Sequence, residues 1–130
     1  MRPAPRRAIP TLLSLVLLAG PLAVGAQTPA PAGSAKAGEI EFQTQCAMCH
    51  ASDGGGFGPS LTGVVGRKAG AASGFAYSPA LKAANFVWDP ARLDRFVASP
   101  QGEVPGATMP FSLDDAKMRA DIIAYLGTLK

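Results

Sequence analysis

Cys46-Ala47-Met48-Cys49-His50 is the stretch of this 130-residue chain whose residue types and spacing could do chemistry. Two thiols three positions apart, followed at once by an imidazole, have the spacing of a c-type haem attachment site. In such a site each thiol adds to one vinyl group of the porphyrin, and the two residues between them form a one-turn arc spanning the vinyls. The imidazole then lies under the ring, where it can be the proximal iron ligand. Three plainer readings compete: a redox dithiol, half of a zinc site, and a simple disulfide. A dithiol of the thioredoxin kind needs a preceding strand and a βαβ setting, and neither is visible. Zinc needs four ligands, yet these are the only two Cys and the only His in the chain. One covalent haem c, with its iron, is the cofactor to which the pattern points.

What such a group does depends on the sixth iron position, because a filled position favours electron transfer and an open one invites chemistry. With no second His, the soft candidates are methionines. Met1 leaves with the leader described below, and Met48 is trapped in the arc between the thiols. Met118 falls on an apolar helical stripe, which reads as core. Met109 sits in Val104-Pro105-Gly106-Ala107-Thr108-Met109-Pro110, a stiff loop from which a thioether can point inward, although a loop Met is often only a core plug. His50 and Met109 are therefore the candidate axial pair. Two functions remain open at this point: a one-electron carrier with no substrate, and a haem-based enzyme or gas-binding sensor whose sixth ligand is open or displaceable. A third, an exported domain without haem, is separable by a haem stain on denatured protein.

These residues must be positioned by helices. Ala37 or Gly38 to about Ala47 reads as a helix, with Glu39 and Glu41 suited to the positive end of its dipole and Gly38 and Phe42 on one face. A glycine inside a helix costs about 1 kcal/mol relative to Ala, so close approach of a second helix would account for Gly38. Gly54-Gly55-Gly56-Phe57-Gly58-Pro59 has no period; such glycines let backbone lie against a flat ligand without Cβ clashes. Pro59 has no backbone donor, and its carbonyl is a candidate acceptor for the Nδ1–H of His50. Ser78-Pro79 and Asp89-Pro90 each carry an N-cap followed by proline at the first helical position, which predicts short helices to Lys82 and Ala98. Ser99 to Phe111 reads as loop. Ser112 reads as the cap of a last helix, with Asp114 and Asp115 in its first turn and an apolar stripe of Met118, Ile122, Tyr125, Leu126 and Leu129. No stretch alternates as a strand. The fold class is all-α.

Residues 1–26 read as a signal peptide: Arg2, Arg6 and Arg7 precede an apolar run, and Val24-Gly25-Ala26 offers small residues for cleavage. Gly20 and Pro21 break that run, which is short for a membrane span, so export to the periplasm is expected, with a membrane tether through an uncleaved leader as the alternative. Residues 27–36 read as a flexible linker and 37–130 as one domain. Of the 12 Lys and Arg, three lie in the leader, so the nine that remain equal the nine Asp and Glu. A pI near 9.1 thus argues for neither nucleic acid nor an acidic membrane as partner.

In combination these motifs resemble class I c-type cytochromes, in particular bacterial members close to mitochondrial cytochrome c. The resemblance runs from about Gly38 to Leu129. It is carried by the Cys46–His50 motif, by Gly58-Pro59-Ser60-Leu61-Thr62-Gly63-Val64-Val65-Gly66-Arg67-Lys68-Ala69-Gly70, by Phe75-Ala76-Tyr77-Ser78, by Trp88, by Val104 to Phe111, and by Arg119 to Leu126. It implies a small fold of short helices and long loops wrapped around one covalent haem, with the first and last helices crossing near Ile122 and Tyr125. It implies thioether links at Cys46 and Cys49, axial His50 and Met109, and the Pro59 carbonyl on His50. Tyr77 and Trp88 would donate to a buried propionate whose charge Arg67 offsets; read alone, they are core aromatics and a loop cation. A monomeric electron carrier exchanging electrons with redox protein partners, some of them membrane complexes, is the function implied, with no small-molecule substrate.

The chain also departs from the family. The loop between His50 and Gly58 is shorter than in mitochondrial members. Phe96 replaces a Tyr common near the Met ligand, Ala107 replaces a common Thr, and Leu81 stands where Asn is frequent. The lysines that ring the haem edge in mitochondrial members are mostly missing, with Gln45 and Thr108 at two such places. Docking is therefore expected to rest on apolar contact from Phe57, Val104 and Ala107.

Overall fold

The computed structural model describes residues 32–51 and 56–130, so the leader, most of the linker and Gly54-Gly55 lie outside the described residues. Five helices follow in chain order: α1 (Ala35–Gln45), α2 (Pro79–Ala83), α3 (Pro90–Ala98), α4 (Pro100–Glu103) and α5 (Ala116–Leu126). Among the described residues the only β pairing is one isolated bridge between Lys68 and Val87. The fold is all-α, as the sequence predicts.

The first and last helices cross through Gly38. A Cβ there would collide with the Asp121 carbonyl of α5, so the glycine is what lets the two backbones meet. Phe42, one turn on, is buried and lies 5.4 Å from the Tyr125 ring, and Ile122 and Leu126 complete the seam. Side chains of this kind contribute about 1.5–3 kcal/mol each when fully buried. The helix starts earlier than the sequence suggests. Ser34 is its cap, so Ala35 and Lys36, read as linker, are helical and Glu39 falls outside the first turn. The cause is tertiary: Asp121 accepts from the Ser34 N–H at 2.6 Å and pairs with Lys117 at 2.5 Å. The Lys117 ammonium, and then the Ser34 N–H, hold this carboxyl below its usual range.

Both predicted proline caps are present. Ser78 Oγ accepts from Leu81 N–H, and Asp89 Oδ1 accepts from Arg92 N–H at 2.8 Å. The segment read as loop, Ser99 to Phe111, begins instead with α4. There Ser99 caps and Pro100 takes the first position, the same signature a third time. Glu103 ties α4 to α3 through Arg92 at 2.6 Å and Arg95 at 2.8 Å, and the Arg95 bond holds the Glu103 carboxyl below its ordinary value. The cap of α5 is Asp115 and not Ser112. Residues 113 and 114 are drawn away from helix because the Arg119 guanidinium takes the Leu113 and Asp114 carbonyls, each at 2.8 Å, and Leu113 N–H donates to Val97.

Candidate functional site

The Cys46–His50 turn continues from the end of α1. Ala47 N–H reaches back to the Phe42 carbonyl, and both Cys49 and His50 donate to the Cys46 carbonyl, at 3.1 and 2.9 Å. This coiled turn brings residues three and four apart to one side, so Cys46 has the Cys49 thiol and the His50 imidazole as its neighbours. No disulfide joins the two cysteines; Cys46 is half-buried and Cys49 exposed. Burial first, and Cys49 second, push the Cys46 thiol up to about 11.

His50 is fixed from two sides. Its Nδ1 lies 2.8 Å from the Pro59 carbonyl. A carbonyl can only accept, so Nδ1 carries the proton and Nε2 is left as a free lone pair. Gly58 lies flat against the ring, and a Cβ there would stand 2.5 Å from Cε1 and 2.7 Å from Nδ1. The Gly58 N–H donates to the Cys49 carbonyl at 2.8 Å, so the loop that returns to the histidine is anchored on the thiol turn itself. The glycine needed for close approach is thus packed against the imidazole. A cavity of about 300 Å³ opens beside the motif, lined by Ala47 and His50 together with Phe42, Leu61, Tyr125 and Leu129.

The other predicted residues do not line this cavity. Met109 is half-buried and packs against the core, as does Met118. Around that core lie Leu81, Phe96 and Ala107, the three apolar departures, 8%, 8% and 4% exposed. Trp88 is buried between Phe86 and Phe96, both at 4.9 Å in edge-on contact. Its backbone is locked to the preceding loop: Trp88 N–H donates to the Arg67 carbonyl at 2.9 Å, and Gly66 N–H to the Trp88 carbonyl at 2.8 Å. Tyr77 oxygen accepts from the Ala72 N–H, which leaves its own hydroxyl proton to donate.

Arg67 uses Nη1 on the Thr62 carbonyl at 2.9 Å and Nη2 on the Ser60 carbonyl at 2.8 Å. Its Nε is the one buried side-chain nitrogen or oxygen without a partner among the described residues. A buried donor left unpaired costs about 1–3 kcal/mol, so this one is suited to an acceptor that the polypeptide does not supply. The residues fit a haem. An imidazole with a free Nε2, two thiols on the same turn, a soft thioether and a buried cationic donor suited to a carboxylate form the donor set that such a group requires.

Two residues expected to be exposed are not. Val104 and Ala107 are 6% and 4% exposed and belong to the core, whereas Phe57 is 89% and Met48 83% exposed. Loop position alone hid the burial of the first two. Gln101, which contacts the Met109 loop, carries no sequence signature and escaped the sequence reading.

Comparison with known proteins adds the following. The family model described as Cytochrome c matches residues 35–130. A cytochrome c2 of Rhodopseudomonas palustris is 39% identical over 137 residues, covering 92% of this chain and 96% of that protein. The cytochrome c-type cyt cy of Rhodobacter capsulatus is 48% identical over 99 residues, covering 75% of this chain and half of that protein. Among solved structures, cytochrome cH from Methylobacterium extorquens superposes with a TM-score of 0.70 at 48% identity, covering 74% of this chain and 99% of that one.

Proposed function

The chain belongs to the cytochrome c family, and on that premise we propose how its own residues make it a monohaem electron carrier. It is an electron-transfer protein and not an enzyme, and its cofactor is covalent haem c. When bound, that group supplies one iron that gains and loses a single electron. Cys46 and Cys49 hold it through thioether bonds. His50 ligates through Nε2, and the Pro59 carbonyl fixes the tautomer and raises the basicity of the ring. Met109 would supply a second protein ligand to the iron from its loop. Arg67 Nε–H, the Tyr77 hydroxyl and Trp88 would hold the carboxylates of the group, offsetting charge that would otherwise be buried unpaired. Leu81, Phe96 and Ala107 make the surroundings drier than hydroxyl and amide side chains would, and exclusion of water keeps reorganisation small.

The observation that carries this reading is the His50–Pro59 bond, with Gly58 closed on the ring. The test is a haem stain after denaturing electrophoresis together with a reductive titration of the native protein. Stain that survives denaturation, and a reversible change of one electron per chain, are the expected results. Haem lost on denaturation, or a high-spin ferric spectrum, would overturn it. Nothing among the relatives favours a haem enzyme or a gas sensor.

The carrier works after export, as a periplasmic monomer, between a dehydrogenase or membrane complex and a terminal acceptor. Support comes from the residue types of the leader and from the bacterial relatives named cytochrome c2 and cH. Among the described residues no helix is long and apolar enough to cross a membrane. Partners dock on the apolar surface beside the thiol turn, formed by Phe57 and Met48 instead of Val104 and Ala107. The loop from Val104 to Met109 has no cation, and outside the leader bases and acids balance. Steering by charge is then weak. Electron transfer to the physiological partner should change by less than about tenfold between low and physiological salt. Stopped-flow reduction across that range measures it, and a fall of two orders of magnitude would restore a basic docking patch.

A further inference from the structure

The loop that carries Met109 is held by few polar contacts. Among the described residues, the hydrogen bonds reaching residues 105–112 are one local backbone bond, from Ala107 N–H to the Val104 carbonyl, and two from a single side chain. That side chain is Gln101. Its Oε1 accepts from the Gly106 N–H at 3.0 Å, and its Nε2 donates to the Ala107 carbonyl. One amide thus spans two consecutive residues of the loop, satisfying a donor and an acceptor at once. Gln101 is itself fixed, because it sits on α4. Ser99 caps that helix, and Glu103 bonds it to Arg92 and Arg95 of α3. The chain of contacts runs from α3 through Glu103 to α4, and from Gln101 to the loop two and three residues before Met109.

We propose that Gln101 is a positioning residue for Met109, a side-chain clip that sets how readily the thioether leaves the iron. The inference rests on Met109 being the sixth ligand. Glu103 alone cannot do this, since its bonds end at α3, and no other side chain bonds the loop backbone among the described residues. The apolar neighbours Leu81 and Phe96 pack against the core but offer no hydrogen bond. With the clip present, the Gly106–Ala107 turn has one arrangement. Without it, the backbone there exchanges its bonds with water, and Met109 competes less well with ligands from solution.

The test uses the haem-loaded protein and imidazole as probe. Gln101→Leu keeps the bulk of the side chain and removes both bonds. Asp121→Asn weakens the α1–α5 clasp, whose bonds go to Ser34 and Lys117 and not to the loop, and reports what a merely structural loss does. The parent should show the weak sulfur–iron band at the red end of the ferric spectrum. Gln101→Leu should bind imidazole about tenfold more tightly than the parent, the effect of losing two modest hydrogen bonds, with the red band weakened. Asp121→Asn should lower the unfolding midpoint and leave imidazole affinity within twofold of the parent. If Gln101→Leu binds imidazole as the parent does while the parent band is present, the clip is refuted and the Met109 reading stands. An equal rise in both variants refutes it too, because general loosening would then suffice. A parent without the band refutes Met109 as ligand, and the clip with it.

Discussion

Met109→Ala is expected to leave the haem covalently attached and to open the iron to outside ligands. The proposed thioether bonds and His50 ligand come from a different part of the chain, Cys46 to His50, which packs through α1 and the Gly58–Pro59 loop and makes no use of Met109. A tethered ligand competes at an effective concentration on the order of millimolar or higher. Its removal should raise the affinity for imidazole or carbon monoxide by about a hundredfold or more. The red-end sulfur–iron band should vanish, while a haem stain of the denatured protein stays as strong as in the parent. Optical titration with imidazole checks this. A variant that remains six-coordinate with an unchanged spectrum would show that another residue ligates, and Met118, half-buried on α5, would be the next to examine.

His50→Ala acts earlier, on maturation. The imidazole is held between Gly58 and the Pro59 carbonyl beside a cavity of about 300 Å³. Its loss removes the proposed proximal ligand and leaves the Pro59 carbonyl without its donor. Loss of groups that merely orient a metal ligand costs 10–100-fold in affinity, and removal of the ligand itself should cost at least as much. The yield of haem-loaded protein should therefore fall by about tenfold or more at equal expression, measured as Soret absorbance against total polypeptide. Abundant, fully loaded protein would count against the assignment of this motif. The two substitutions together separate attachment from ligation, since one should empty the protein and the other only open it.

Which parts of this were legible in the sequence follows from the range of the forces involved. Ser78-Pro79 and Asp89-Pro90 are local devices, a side-chain oxygen for an orphan N–H and a ring that presets φ, so they could be read without knowing the fold. Ser99-Pro100 is the same device on a four-residue helix with Gly102 inside it, and the glycine masked it. The starts of α1 and α5 were misplaced because side chains outside the cap signature decide them. Asp121 secures Ser34 from the far end of the chain, and Arg119 captures the carbonyls that a longer α5 would have used. The His50–Pro59 contact was legible because a residue with no donor, nine positions after the histidine, can only offer its carbonyl. Arg67 was not: nothing in its neighbours says that two of its nitrogens are spent on the Ser60 and Thr62 carbonyls while the third is left buried. Val104 and Ala107 lie in a loop without periodicity, and only packing shows that they face inward.

The seam at Gly38 also fixes an order of events in time. Among the described helices α1 packs on α5 alone, and the bond from Ser34 to Asp121 closes over 87 positions of chain. During synthesis, α1 and the thiol turn behind it emerge long before residues 116–126 exist to receive them. An isolated helix of 11 residues is marginal in water, so in that interval Cys46 and Cys49 lie on open chain, where their thiols are accessible. Once α5 arrives, the seam at Gly38 shuts, and in the folded chain burial pushes the Cys46 thiol up to about 11. Translation from the amino end thus sets an order: the two cysteines come out first, and the helix that locks α1 in place comes out last.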